Sequence, residues 1–333
     1  MKTVLAATAA LLMATPALAA DWQPDKPINI IVPWSAGGST DQVTRVVAPI
    51  LEEALGQSIV IVNQPGASGS IGTKAALDAP RDGYTWTANA IANNATYAVT
   101  GLIEDTDIDD YRIYLHIANV PVVSVNPDSD FDDFASLLEA MKTGERVTVA
   151  TAGVNSSGGM ALAAIRESAG DGANAQMIAY DGGNPAVLAA ASGEAMATTQ
   201  LASEQAELIR AGKLRPLVAL SSQPLEIEGI DPIPPITEFM QMETAPHYFG
   251  IFIPAGAPQE VYDTMDKVWQ EHVMDAQALK DYAKNRGATF APAFGDEARD
   301  RAMPVVVHEA CARVTRNEAV ISPSEIGIDC PAS

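Results

Sequence analysis

The chain has 333 residues, 47% of them apolar, and carries 42 acidic against 20 basic side chains, a formal charge of −22 at pH 7. So acidic a balance excludes nucleic acid and an anionic membrane surface as partners, because both need a basic footprint. The length exceeds one ordinary domain of roughly 100–150 residues and points to two lobes. The charge itself reads as solubility, in a medium whose salt screens the repulsion.

The N-terminus reads as an export signal. Lys2 is the charged start, residues 4–13 are a short apolar core, and Ala17-Leu18-Ala19 fits a small-residue cleavage rule. Residues 1–19 are therefore expected to be a signal peptide. The apolar run falls short of the ~20 residues of a membrane span, and no later stretch qualifies. No cysteine follows the apolar core, so a soluble exported protein without a lipid anchor is expected.

Residues 28–32 form a short apolar strand that runs into Pro33-Trp34-Ser35-Ala36-Gly37-Gly38-Ser39-Thr40. This small-residue loop opens onto a helix, with Ser39 expected as N-cap and Gln42 as its capping-box partner. A helix N-terminus beside such a loop presents N–H groups and a positive dipole end to an anion. Val43, Val46, Val47, Ile50, Leu51, Ala54 and Leu55 make the core-facing stripe, Pro49 predicts a kink, and Gly56 ends the helix. A strand at 59–62 then leads into a second small-residue loop, with Gly66, Ala67, Ser68 and Gly69, and a helix through Leu77. Strand–loop–helix twice in fifty residues indicates an α/β fold with a largely parallel sheet. A strand at 85–89 ends on Asn89. The acid-rich stretch 104–110 lacks the glycine and spacing of a calcium loop and reads as solvated. One or two strands fill 112–125, and Pro121 marks a crossing between lobes.

The second lobe repeats the pattern. A strand at 146–150 precedes a loop with Thr151, Ser156 and Ser157, then a helix over 160–168. A strand at 176–180 ends on Tyr180 and Asp181, with Asn184 expected as the next N-cap and Pro185 at the first helical position. A short strand over 195–199 precedes Gln200. A helix is expected over 204–211, a strand over 214–220, and a proline-rich return linker over 224–235. A strand at 249–254 and helices near 258–271, 275–285 and 296–315 complete the chain, with Pro304 predicting another kink.

Enzyme signatures are thin. The four histidines, His116, His247, His272 and His308, show no metal-ligand spacing, and no metal or cofactor is expected. There is no G-x-S-x-G elbow and no phosphate loop with its lysine; a hydrolase would have to use Ser156 or Ser157. Cys311 and Cys330 are expected to pair in an oxidising compartment, closing a loop of about 20 residues worth about 3 kcal/mol. What remains is four glycine- or serine-rich loops at strand C-termini, where open α/β sheets bind ligands. Together they describe a cleft lined with N–H groups and hydroxyls.

Several strings, in order along the chain, resemble one family. Lys26-Pro27-Ile28 with residues 31–41 looks like its opening motif, followed by Leu55-Gly56-Gln57, residues 65–72 and Asp82-Gly83-Tyr84-Thr85. Tyr180-Asp181-Gly182-Gly183-Asn184-Pro185-Ala186, Gly212-Lys213-Leu214-Arg215, residues 234–238 and residues 252–258 continue the match. This is the tripartite tricarboxylate transporter substrate-binding family, also called the Bug family. The resemblance implies a type 2 periplasmic-binding-protein fold, two α/β lobes around a ligand cleft, with 20–120 plus 225–333 as one lobe and 121–224 as the other. It implies a non-catalytic, monomeric periplasmic receptor that closes on a small organic carboxylate, a di- or tricarboxylate or an aromatic acid, and delivers it to membrane permease subunits. A sensor component presenting the ligand to a membrane kinase is the alternative, and a serine hydrolase a distant third. Ligand contacts would fall on Trp34, Ser35, Ala36, Gly37, Gly38, Ser39, Thr40, Gly66, Ala67, Ser68, Gly69 and Asn89 in the first lobe. In the second they would fall on Thr151, Ser156, Ser157, Tyr180, Asp181 and Gln200. Two positions depart from the family pattern. Trp34 stands where Phe or Tyr is common, and Gly193-Glu194-Ala195-Met196 lacks the family's Asp, which lowers the expectation of an amino-acid ligand.

Overall fold

The computed structural model describes residues 22–170 and 172–331, so the expected signal segment, 1–19, lies outside the described residues. The chain opens with β1 (Ile28–Val32), α1 (Ser39–Leu55), β2 (Ile59–Asn63), α2 (Ser70–Leu77), β3 (Thr85–Ala90), α3 (Ile91–Thr96) and β4 (Tyr111–Asn119). It continues through β5 (Val122–Val125), α4 (Phe134–Lys142), β6 (Val147–Thr151), α5 (Ser157–Ala169), β7 (Ala175–Ala179), α6 (Gly183–Ala191), β8 (Ala197–Thr198), α7 (Ala202–Arg210) and β9 (Arg215–Ala219). A ribbon of β10 (Leu225–Ile227) and β11 (Ile230–Ile233) leads back to β12 (His247–Pro254), α8 (Gln259–Val268), α9 (Gln277–Arg286), β13 (Ala288–Phe294) and α10 (Gly295–Thr315).

These strands form two main sheets. The first has the order β13-β4-β12-β3-β1-β2, and the second the order β7-β6-β8-β5-β9. In the first sheet β1 is parallel to β2 and β3, whereas β12 runs antiparallel to β3 and β4. In the second, β6 is parallel to β7 and β8, and β5 is antiparallel to β8 and β9. The parallel strands need helical crossovers, which explains the strand–loop–helix rhythm of the sequence. The chain passes from the first sheet to the second between β4 and β5, and returns between β9 and β12.

Alternation along the strands splits the first core between the two faces of its sheet. Ile251 and Ile253 pack with Val43, Val47 and Leu51 of α1 and with Trp269 beyond α8. Phe252 faces the other way, onto Ile91 of α3 and Val305 and Val306 of α10. The second sheet packs Val147 and Val149 against Phe134, Leu137 and Met141 of α4 and against Leu162 and Ile165 of α5.

The structure corrects several local expectations. Gly38, not Ser39, is the N-cap of α1, without a side-chain cap; Ser39 is the first helical residue and turns its hydroxyl elsewhere. Gly182, not Asn184, caps α6, so Pro185 sits at the third helical position, two further in than expected. Pro49 and Pro304 lie inside α1 and α10, which continue past them, the positions where the kinks are expected. The proline-rich linker contains the β10–β11 ribbon. Three elements have no counterpart in the sequence reading. These are α3, buried throughout its length, α4, opened by an Asp133–Ser136 capping box, and β13, whose pairing with β4 is broken by a register shift.

Cys311, near the end of α10, is joined by a disulfide to Cys330. No helix among the described residues is long and apolar enough to cross a membrane. The disulfide spans 19 positions, a loop whose closure is worth about 3 kcal/mol in the chain-entropy model. Cys311→Ser is expected to lower the unfolding free energy by that amount, read from urea melts with and without reductant. Reductant should shift the native protein and leave the variant unchanged.

Candidate functional site

Four helices begin at the C-terminal ends of parallel strands: α1 after β1, α5 after β6, α6 after β7 and α7 after β8. Their first turns face one another across the gap between the sheets. Each start brings N–H groups with no intrahelical partner. The cavity between them measures only about 20 Å³ for the centre of a water-sized sphere. That is room for a water or two, not for an organic acid. The cleft is closed.

Its wall includes Trp34, Ser39 and Thr40 from the first lobe, and Ser156, Ser157 and Gln200 from the second. All six are residues that the sequence singles out. Asn93, Ala152, Gly183, Leu201, Glu204 and Phe249 complete it. None of these lining residues is Lys or Arg.

The first loop is pinned by its own neighbours. The N–H and hydroxyl of Ser35 both donate to the Asp181 carbonyl in the other lobe, at 3.1 and 3.0 Å. The Gly37 N–H donates to Asp41 Oδ2 at 2.9 Å, and the Gly38 N–H to the Ser35 carbonyl at 3.4 Å. Burial pushes the Asp41 carboxyl up, but Arg45, the Gly37 amide and Asn63 outweigh it and hold the group below its ordinary range. Ala36 is exposed and takes no part. The Ser39 N–H donates at 2.9 Å to Oε1 of Glu204, from α7.

The second loop is placed by a polar relay behind Trp34. The Trp34 Nε1–H donates to Asn89 Oδ1 at 2.9 Å, Asn89 Nδ2 donates to Tyr97 at 3.2 Å, and the Tyr97 hydroxyl donates to the Ser68 carbonyl at 3.1 Å. Burial pushes the Tyr97 phenol up to about 12, so it stays a donor at any working pH. Asn89 is thus a support for Trp34 and the loop, not part of the cavity wall. A Cβ at Gly69 would come within 2.5 Å of the Tyr97 oxygen and 2.8 Å of the Trp34 ring, and its φ of +88° is left-handed. Only glycine fits there. Gly66, Ala67 and Ser68 also have positive φ. The loop stands outside the cavity wall. Ser68 instead abuts Gly153 of the opposing lobe, where a Cβ would lie 2.3 Å from its Oγ.

In the second lobe Ser156 caps α5: its Oγ accepts from the Gly159 N–H at 3.0 Å and donates to the Gly153 carbonyl at 2.7 Å. Thr151 is buried beneath this loop and accepts from the Gly153 N–H at 3.1 Å. Gln200, with its amide turned to satisfy both ends, donates to Glu204 Oε2 at 3.0 Å and accepts from the Ala152 N–H. Tyr180 points away, to Glu194 at 2.8 Å, and Asp181 is exposed except for the carbonyl that Ser35 holds. Neither lines the cavity.

Residues absent from the sequence reading carry the rest of the seam. Asn119, at the crossing between sheets, donates to Ser39 at 3.0 Å and to Ser203 at 2.6 Å, and Ser203 donates to Ser39 at 2.8 Å. On the far side Asn155 is gripped by the first lobe. Its Oδ1 accepts from Thr96 at 3.0 Å and from Arg313 at 3.2 Å, and its carbonyl accepts from Asn93. The nearest sequence signal is that each is a small polar residue beside a glycine loop or crossing. Glu204 gives the signal of an acid in a first helical turn. No histidine shares a hydrogen bond with Ser156 or Ser157 among the described residues, and the Ser156 hydroxyl is committed to its cap.

Asn155→Ala is expected to leave one buried Arg313 N–H without its acceptor, while the Thr96 hydroxyl keeps the Ala92 carbonyl, and to cost about 1–3 kcal/mol in urea unfolding. Small-angle scattering of the ligand-free variant should show a larger radius of gyration, because the removed bonds join the lobes.

A model of the family described as "Tripartite tricarboxylate transporter family receptor" matches residues 43–300. Protein BugT of Bordetella pertussis strain Tohama I is 31% identical over 313 residues, covering 89% of this chain and 92% of its own length. Among solved structures, periplasmic binding protein BugD superposes with a TM-score of 0.79 at 20% identity, over 92% of this chain and 100% of that one. Rpa4515 of R. palustris, solved with adipate, gives a TM-score of 0.79 at 22% identity, over 88% of this chain and 98% of the other. At such identities the two structural likenesses show the fold, that of periplasmic binding proteins.

Proposed function

The chain belongs to the tripartite tricarboxylate transporter receptor family, and from that premise we propose that its ligand is a small organic carboxylate, captured between the lobes and handed to membrane permease subunits. The solute-binding role is the family's own. The observation that carries the ligand class is the convergence of four helix N-termini on a cavity whose wall has hydroxyls and amides but no basic side chain. Main-chain N–H groups can hold an anion without leaving a buried cation uncompensated when the ligand departs. The adipate bound to Rpa4515, a protein of the same fold, supports an aliphatic acid.

The same proposal includes the rest of the receptor's working. Lobes of 20–120 with 225–333 and of 121–224 close by population shift, with ligand contacts from both sides favouring the closed state. The ligand's contacts come from the cavity-facing residues Trp34, Ser39, Thr40, Ser156, Ser157 and Gln200, with Gly66–Gly69 reached once the lobes part. Export by residues 1–19, without a lipid anchor, would place the receptor in the periplasm. Permease subunits would take the ligand from it there.

Calorimetry of the purified protein against adipate, malate, citrate and benzoate tests the reading, with tryptophan emission followed in parallel because Trp34 lines the cavity. At least one acid is expected to bind with a single-site isotherm and to change the emission. A folded protein that binds none of them overturns the ligand class.

A further inference from the structure

Among the helix starts of the cleft lies a carboxyl group that belongs to the protein itself. Glu204 Oε1 accepts from the Ser39 N–H at the start of α1, and its Oε2 accepts from the Leu201 N–H at the start of α7, at 3.1 Å. The first residue of α6 lies against it too, since a Cβ at Gly183 would fall 1.9 Å from Oε1. Two helix starts therefore donate to one carboxyl group, Leu201 as the capping box of its own helix and Ser39 from the other lobe, and the start of α6 packs against it. Ser39 and Glu204 are 165 positions apart and in different lobes, so the bond also ties the cleft shut. The residue as a whole is only half-buried because it lines the cavity, while its carboxyl group is surrounded by protein.

We propose that Glu204 is a specificity-determining residue, a tethered competitor whose carboxyl group holds the α1 N-terminus in the closed cleft and which a carboxylate ligand must displace to bind. This rests on the receptor reading above. Two carboxylates cannot share one such position while both are ionised. Ligand acids are accepted only when their contacts to both lobes exceed the contacts Glu204 gives up, which sets a threshold against weakly complementary acids. Gly183 and Gly38 leave the space in which the Glu204 carboxyl group sits.

The charges around Glu204 make its state the one that varies. From α1 the nearest acid is Asp41, already paired with Arg45. From α9 come Tyr282, whose phenol burial pushes up to about 12, and Arg286, which pairs with Glu207 on the outer side of α7. The α5 and α6 starts, Gln200 and Asn119 bring no titratable group. No cation touches the Glu204 carboxylate among the described residues. Burial pushes this carboxyl up to about 7, with the Ser39 and Leu201 amides pulling the other way. In the open cleft it returns toward its ordinary value near 4.5. Between these values the closed form keeps a proton that the open form has lost. Closure is therefore favoured at low pH, and that advantage is lost as the pH rises toward about 7.

The test uses the full mature protein, with Glu204→Ala to remove the competitor and Glu204→Gln to remove only its charge. Calorimetry with adipate, malate, citrate and benzoate is run at pH 5.5 and pH 8, alongside small-angle scattering without ligand. At pH 5.5, Glu204→Ala is expected to bind the accepted acid at least tenfold more tightly than the unmodified protein, with the gap narrowing at pH 8. Glu204→Gln should bind with nearly the same affinity at both pH values. The ligand-free Glu204→Ala protein should be more open. Acid affinity unchanged or weakened in both variants at both pH values overturns the proposal, because it makes Glu204 a bystander or a partner for a ligand cation. If no acid binds any of the three proteins, the carboxylate reading fails. Scattering then decides alone, and an unchanged radius of gyration for Glu204→Ala at pH 5.5 overturns the latch.

Discussion

Every helix start leaves N–H groups without partners, and this fold aims four such starts at a single narrow gap. In an open cleft water satisfies them. In a closed one water is excluded, so each must find an acceptor in the protein or its ligand. In the closed cleft the protein supplies several of these acceptors itself. Asp41 takes the Gly37 amide, the Ser35 carbonyl takes Gly38, Ser156 Oγ takes Gly159, and Glu204 takes Ser39 and Leu201. The need to satisfy these amides accounts for the composition of the loops, the closed state and the position of Glu204.

The bonds that join the lobes beside the cavity come from the weak end of the scale, and the ion pairs between lobes, Arg286–Glu207 at 3.3 Å and Arg316–Glu167 at 2.9 Å, lie where the acid is exposed to solvent. Ser39, Asn119 and Ser203 meet at one end of the seam and Asn93, Thr96 and Asn155 at the other, through hydroxyls, amides and carbonyls. Each such bond is worth about 0.5–1.5 kcal/mol net, since water replaces it on opening. A receptor that must open to load and unload cannot be locked by a buried ion pair, whose loss costs several times more. Arg313 joins the seam without breaking this rule. Its charge is paired with Glu318 at 2.6 Å, and it gives Val154 and Asn155 only its remaining N–H groups.

Local physics made much of the fold legible. The β1–α1 and β2–α2 units stood out because an apolar run, a small-residue loop and a helical stripe follow each other directly. The failures have equally local causes. All of α3 is buried, so it shows no amphipathic face, and β13 carries Pro292 and a register shift that break the alternation of a strand. Ser39 had the residue type of a cap, but its hydroxyl serves Asn119 and Ser203, partners that no local pattern reveals. The same limit governs the site. Trp34, Ser39, Thr40, Ser156, Ser157 and Gln200 were legible because loop chemistry at a strand end is a local signal. The seating of Glu204 was not, because an acid in the first turn of a helix has a sufficient local explanation in the helix dipole. Only the fold brings the α1 N-terminus to it.

The acidity of the chain and an acidic ligand look incompatible until the distances are considered. Surface carboxylates more than about 8–10 Å from the cleft are screened by physiological salt, so a charge of −22 spread over the surface says little about the field inside. What matters there is the first few ångströms, where amide dipoles point inward and one carboxyl group already sits. That group is also the reason no arginine or lysine is needed in the wall. A basic side chain would bind Glu204 permanently and leave the ligand nothing to displace. Dipoles alone hold an internal acid firmly enough to close the cleft and loosely enough to give it up, and a receptor built this way can be both strongly acidic and selective for acids.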